Sequence, residues 1–207
     1  MTSINGHDYS VGEVLRAATM DGITEDLNTL LAQGIGEETV YIPAGSMRPE
    51  TGAAPGAAID LDFGTIVHLG IPFDKDTDEF LNFSLEMPKR YDAGSLYLAC
   101  IWTTAAGEGG AGGVVWQAEG NKLDDGGAMG TDPGSGGGTV TDAWQADGDR
   151  HRTSWFEVTP EGSVSDDIVM VEIRIGRDAN NGSDTLGCDA YLVGVAYRWT
   201  SDAETDD

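Results

Sequence analysis

The chain has 207 residues and carries 36 Asp and Glu against 11 Lys and Arg, a formal net charge of −25 at pH 7. With 40% hydrophobic residues it can bury one sizeable core, as a single all-β domain of this length does. So negative a surface repels phosphate backbones and anionic headgroups, which argues against direct binding to nucleic acid or to an acidic membrane.

The same charge serves solubility in a salty medium or attraction to a basic partner surface, and both readings stay open. No run of eighteen apolar residues and no charged-then-apolar start occurs in the sequence. The expectation is therefore neither a membrane span nor a secretory signal, with synthesis in the cytoplasm. Cys100 and Cys188 are the only cysteines, and both sit in apolar runs. Buried free thiols are the ordinary reading there, and a disulfide would require adjacent strands.

Residues 1–36 differ from the rest and are expected to form a helical arm. Ser10 to Glu13 fits a capping box, and Val11, Val14, Leu15 and Ala18 follow helical spacing. After Gly22, Ile23, Leu27, Leu30 and Leu31 share a second face, with Gly34 as a stop signal. This apolar stripe packs either on the chain's own body or on the same helices of other subunits. Val14, Leu15, Leu27 and Leu30 are the candidate contact residues.

From Thr39 the pattern turns to period two, and residues 37–207 read as one β-sandwich domain. Candidate strands are 39–43, 58–72, 79–87, 95–104, 113–122, 139–144, 152–159, 168–177 and 190–200. Val169, Val171, Ile173 and Ile175 form one apolar face, while Met170, Glu172 and Arg174 point the other way. Eight or nine short strands between Gly, Asp and Pro clusters predict an antiparallel sandwich or barrel, and no strand leads into a long helix. Thirteen of the thirty glycines fall between Ala105 and Gly138. They mark glycine-rich loops at 105–113 and 124–138.

Catalytic chemistry is thin in this sequence. His7, His68 and His151 share no metal-ligand spacing, and neither cysteine carries a thiol-enzyme signature. No glycine-rich stretch is followed by the Lys-Ser/Thr of a phosphate loop. Asp74-Lys-Asp-Thr-Asp-Glu opens like a calcium loop, but Glu79 and Leu85 stand where an EF-hand needs glycine and a bidentate acid. An acidic hairpin turn is the plain expectation, with a weak divalent-ion site at Asp74, Asp76 and Asp78 left open. The expectation is thus no catalytic residue, no metal and no cofactor. Of five tryptophans, Trp102, Trp116 and Trp199 sit within strands and are expected in the core. Trp144 and Trp155 flank a polar turn and are the candidate contact tryptophans.

Four stretches carry a resemblance. They are YSVGEVLRAATMD at residues 9–21 with Asp26-Leu-Asn, VYIPAGSMRP at 40–49, FLNFSLEMPKRYDAGSL at 80–96, and RDANNGSDTLGCDAYLVGV at 177–195. In that order they resemble a group of structural proteins of tailed-phage (siphophage) virions, over most of residues 9 to 198. The Ala105–Gly138 region departs from the group's texture. The resemblance implies a jelly-roll-like β-sandwich and a homotrimer, acting as a decoration (cement) protein. It would sit on the outer surface of the phage head, with the major capsid protein as partner and neither nucleic acid nor membrane. The alternative is a tail-fibre or receptor-binding module that touches host surface glycans.

Overall fold

The computed structural model describes residues 37–89, 91, 94–108, 110–130, 132, 137–162 and 170–201, and the backbone alone at 3–4, 7–8 and 169. The predicted helices, with Val14, Leu15, Leu27 and Leu30, lie outside the described residues. Ahead of them a small antiparallel ladder pairs β1 (Ser3–Ile4) with β2 (His7–Asp8).

All remaining strands belong to two sheets, and every ladder between them is antiparallel. The larger sheet holds β3 (Glu37–Pro43), β5 (Ile59–Asp62), β6 (Val67–Phe73), β8 (Leu96–Thr103), β11 (His151–Arg152), β12 (Phe156–Val158) and β14 (Ala190–Thr200). β8 and β14 are its centre. β11 and β12 share one edge of β8, while β3 and β6 share the far edge of β14 and β5 hangs outside β6. The smaller sheet runs β10 (Gly138–Ala143), β9 (Gly113–Leu123), β13 (Val169–Arg177), β7 (Glu79–Met87) and β4 (Arg48–Pro49). Among the described residues the one helical element is a 3₁₀ turn at Ala44–Ser46.

The alternation of side chains decides which faces meet. In β7, Leu81, Phe83 and Met87 are buried; in β13, so are Val171, Ile173 and Ile175. They face Leu96, Leu98, Cys100 and Trp102 of β8 and Leu192, Val195 and Tyr197 of β14 across one core. Trp116 of β9 meets Phe73 edge-on at 5.2 Å and Trp102 at 6.5 Å, which joins the sheets at their middle. Each such buried large side chain is worth about 1.5–3 kcal/mol. Trp102, Trp116 and Trp199 are thus core residues, as their strand positions predict. Both cysteines are free, Cys100 buried and Cys188 half-buried.

The structure corrects four expectations. Strand 58–72 is a hairpin, because Gly64 turns at φ +108° while its N–H is held by Asp62 Oδ1 at 2.8 Å. Strand 152–159 breaks at Thr153, whose N–H donates to the Cys100 carbonyl at 3.1 Å while its Oγ1, in place of its own carbonyl, accepts from the Cys100 N–H at 3.0 Å. The acidic turn at Asp74–Glu79 is not a hairpin within a sheet. It carries the chain from β6 in one sheet to β7 in the other. There Glu79 accepts from Asp74 N–H, Asp74 from Asp76 N–H, and Asp78 from Asn180 N–H. Finally, among the described residues twelve strands build the two sheets, against the eight or nine expected, since the broken strand, the hairpin and the short β4 are not separable by period.

Candidate functional site

In β8 and β14 several outward-facing residues are covered as well as the inward ones: Ala99, Thr103, Tyr191 and Ala196 are buried, while Tyr97, Ile101 and Arg198 are half-buried. A central strand buried on both faces has something lying across it. Here that cover comes from three pieces, and a cleft opens between them.

The first piece is Tyr41 of β3. β14 carries a bulge between Leu192 and Gly194, so Val193 is an extra residue outside the ladder. Tyr41 Oη donates to the Val193 carbonyl at 3.1 Å, and its ring lies so close over Gly194 that an added Cβ would come within 2.4 Å of it. The second piece is the loop from Trp144 to Arg150. Trp144 N–H donates to Gly112 O at 2.9 Å, and Gln145 N–H donates to His151 Nε2 at 2.9 Å. Asp147 accepts from Thr104 Oγ1 and from Gly107 N–H, both at 3.2 Å. The loop is therefore fixed at both ends and at its middle. The third piece is the tip of the β5–β6 hairpin, where Phe63 lies 3.0 Å from where a Cβ on Gly148 would stand.

Between them lies a cleft of about 350 Å³, walled by Tyr41, Phe63 and His68, floored by Ile101 and Thr103, and rimmed by Asp149 and Arg150. The Phe63 and His68 rings stand 6.5 Å apart. Burial pushes the Tyr41 phenol above its ordinary value, against a smaller opposing pull from Arg150. Arg150 is exposed, and among the described residues no carboxylate pairs with it.

A second cleft, of about 340 Å³, lies on the outer face of the smaller sheet around Arg174. Its cation is already matched by Glu119 at 2.6 Å, Asp132 at 3.2 Å and Glu50 at 3.5 Å. The Arg174 guanidinium is thus committed to its own chain, whereas that of Arg150 has no carboxylate partner among the described residues. Among the described residues no group of three His, Cys, Asp or Glu is arranged to hold a metal ion. No helix among them is long and apolar enough to cross a membrane.

The two candidate tryptophans have different partners. Trp144 is half-buried, packs on the core and donates from Nε1 to Thr104 Oγ1 at 3.3 Å. Trp155 stands where the ladder breaks, with the Arg152 and Arg198 guanidiniums 4.4 and 4.6 Å from its ring centre. Arg198 also lies over Tyr97 and pairs with Glu37. Each exposed cation–π contact of this kind contributes about 0.5–1 kcal/mol. Of the histidines, His68 lines the cleft, while His151 is fully buried and stacked on Trp102 at 4.2 Å.

Sequence reasoning passed over Tyr41, Phe63 and Arg150, because the cleft depends on a bulge and a hairpin that bring distant segments together. The Asp62-Phe-Gly-Thr turn was the one local signal available. It also missed a second feature of the surface. Of eight large hydrophobic side chains exposed among the described residues, five lie on the hairpin: Ile59, Phe63, Ile66, Val67 and Leu69.

No protein-family model matches the chain, and no curated protein does.

Proposed function

We propose that the chain is a non-catalytic structural part of a tailed-phage particle, a capsid decoration protein that docks on the major capsid protein through the β5–β6 hairpin. The observation that carries this is the set of exposed apolar side chains on that hairpin, where Ile66 is 65% and Val67 54% exposed. A surface with a charge of −25 has ample means of staying in water. Five such side chains on one hairpin of this surface, with Val67 and Leu69 on one face and Ile59 on the other, support a contact with another protein. The partner's matching surface is apolar and not strongly acidic, since a like-charged one would repel the chain.

The phage assignment is supported by the resemblance of residues 9–198, and the jelly-roll reading by the strand order. With β6, β7, β8, β9, β10, β12, β13 and β14 taken as strands 1 to 8, the sheets run 1-8-3-6 and 2-7-4-5. That interleaving is what two nested Greek keys produce when wound into facing sheets. As a homotrimer the chain presents three hairpins at once, so individually weak apolar contacts act together by avidity.

The test is occupancy on particles prepared without the protein. Added wild-type chain should rebind and restore resistance to heating. The double variant Ile66→Asp, Val67→Asp should fold normally, since both positions are more than half exposed, yet fail to rebind. Full rebinding by that variant overturns the hairpin as the docking element, and failure of the wild-type chain to bind heads overturns the decoration role.

A further inference from the structure

We infer that the cleft between Tyr41, the hairpin tip and the 144–150 loop binds a carboxylate-bearing sugar, a single uronic or sialic acid residue in size. This goes beyond the docking role and does not depend on it.

The chemistry of the lining selects the class. A volume of about 350 Å³ stands at the small end of ligand pockets, which run from about 300 to 1,000 Å³. Tyr41 and Phe63 offer aromatic walls against which the C–H face of a pyranose ring packs. At the rim, Asp149 and Arg150 stand side by side in the chain, so the mouth offers an acceptor-only and a donor-only group together.

Simpler ligands fit this set poorly. An inorganic anion would meet apolar walls and the Asp149 carboxylate. A purely apolar molecule would strip water from both charges and return nothing. A neutral sugar would satisfy Asp149 through its hydroxyls and gain no charge-assisted bond from Arg150. A sugar acid uses all of it: hydroxyls donate to Asp149, the ring lies on the aromatic walls, and the carboxylate takes the planar fork of Arg150.

The place of Arg150 gives the argument its weight. Arg174, Arg177 and Arg198 each have a carboxylate partner within this very acidic chain. Arg48, Arg150 and Arg152 have none among the described residues, and of these three Arg150 is the one that lines the cleft with Tyr41 and Phe63. Tyr41 is held in place by its bond to the Val193 carbonyl and keeps its oxygen lone pairs for a ligand hydroxyl. The cleft walls are anchored by the bulge, the Asp147 bonds and the Phe63–Gly148 contact, so little ordering is needed on binding.

The experiment is a titration of the full chain, followed by calorimetry and by amide shifts. The probes are D-glucuronate, D-galacturonate and N-acetylneuraminate, with D-glucose and acetate as comparisons. At least one acidic sugar should saturate below about 20 mM, with shifts centred on Tyr41, His68 and Arg150. Glucose should bind at least tenfold more weakly, and acetate should not saturate. Arg150→Gln should weaken the acidic sugar by about ten- to a hundredfold, the share of one charge-assisted pair, and leave glucose unchanged. Four results would each overturn the assignment. They are no saturation by any acidic sugar, equal binding of glucose, acetate binding as tightly as the sugar acid, or an Arg150→Gln chain that binds as wild type does.

Discussion

Arg177 spends all five of its N–H donors inside the protein. Nε and Nη2 hold the two oxygens of Asp184 at 2.9 and 2.7 Å, and the rest go to the carbonyls of Phe73, Leu186 and Cys188. Both side chains of the pair are essentially unexposed. The fork thereby ties the 178–189 connection, which crosses from one sheet to the other, to the end of β6. The alternation of β13 puts Arg177 in phase with the inward Val171, Ile173 and Ile175, but an arginine at a strand end reads as a surface residue and its partner lies seven positions on in a loop. Arg177→Met should destabilise the fold by about 3–5 kcal/mol in urea unfolding, since it strands the Asp184 charge in the interior. Arg177→Lys should recover only part of that, as an ammonium cannot reproduce the fork.

Tyr191 makes a second prediction at the same scale. Its hydroxyl faces Glu108 at 3.3 Å, and burial first, then the Glu108 charge, pushes its pKa up to about 12 from 10.0. The unfolded chain ionises near 10.0 while the folded one holds the proton, so this contribution is intact below pH 10 and is lost as pH rises towards 12. Tyr191→Phe should therefore flatten the fall in unfolding midpoint across that window. An unchanged alkaline slope would show that the tyrosine ionises freely.

Among the elements, the strands that stand in the middle of a sheet were the legible ones. β7 and β14 begin and end where their alternation does, and the outward Glu172 and Arg174 of β13 were placed on the correct side. The hairpin was not legible, because Asp62-Phe-Gly-Thr interrupts an apolar run without the Asn-Gly or Asp-Gly pair that announces a tight turn. The cleft was lost with it, since two of its walls stand on that hairpin and the third, Tyr41, rests against the bulge of β14. One glycine of the glycine-rich stretch has a stricter role than a loop requires. At Gly138 a Cβ would stand 1.9 Å from the Glu157 carbonyl, where β10 of one sheet runs against β12 of the other. Gly138→Ala should cost about 1–3 kcal/mol through backbone displacement. A variant of wild-type stability would mean that this edge of the sandwich yields freely.

At the scale of the molecule, charge and shape pull in different directions. A net charge of −25 favours dispersion in water and opposes both compaction and close approach of copies. Salt shortens the reach of that repulsion from about 10 Å at 0.1 M to about 3 Å at 1 M. The unfolding midpoint should therefore rise with sodium chloride over that range, and self-association should strengthen with it. A falling midpoint would show that the few ion pairs, such as Arg174 with Glu119, outweigh the repulsion. The sequence made the acidic β-sandwich legible, but it pointed to Trp144 and Trp155 as the contact tryptophans. In the fold Trp144 packs on the core and Trp155 lies under two guanidiniums, while the open apolar surface is on the hairpin. A contact surface of this kind is made by which side chains the turns leave uncovered, and a residue's type does not reveal that.

The decoration role turns on stoichiometry more directly than on any property of the isolated chain. Quantitative mass spectrometry of purified particles would count the chain against the major capsid protein. The account predicts a fixed ratio to shell subunits in wild-type particles and near-complete loss of the chain when Ile66 and Val67 are both replaced by Asp. A few copies per particle, confined to the tail and unaffected by those substitutions, would contradict it.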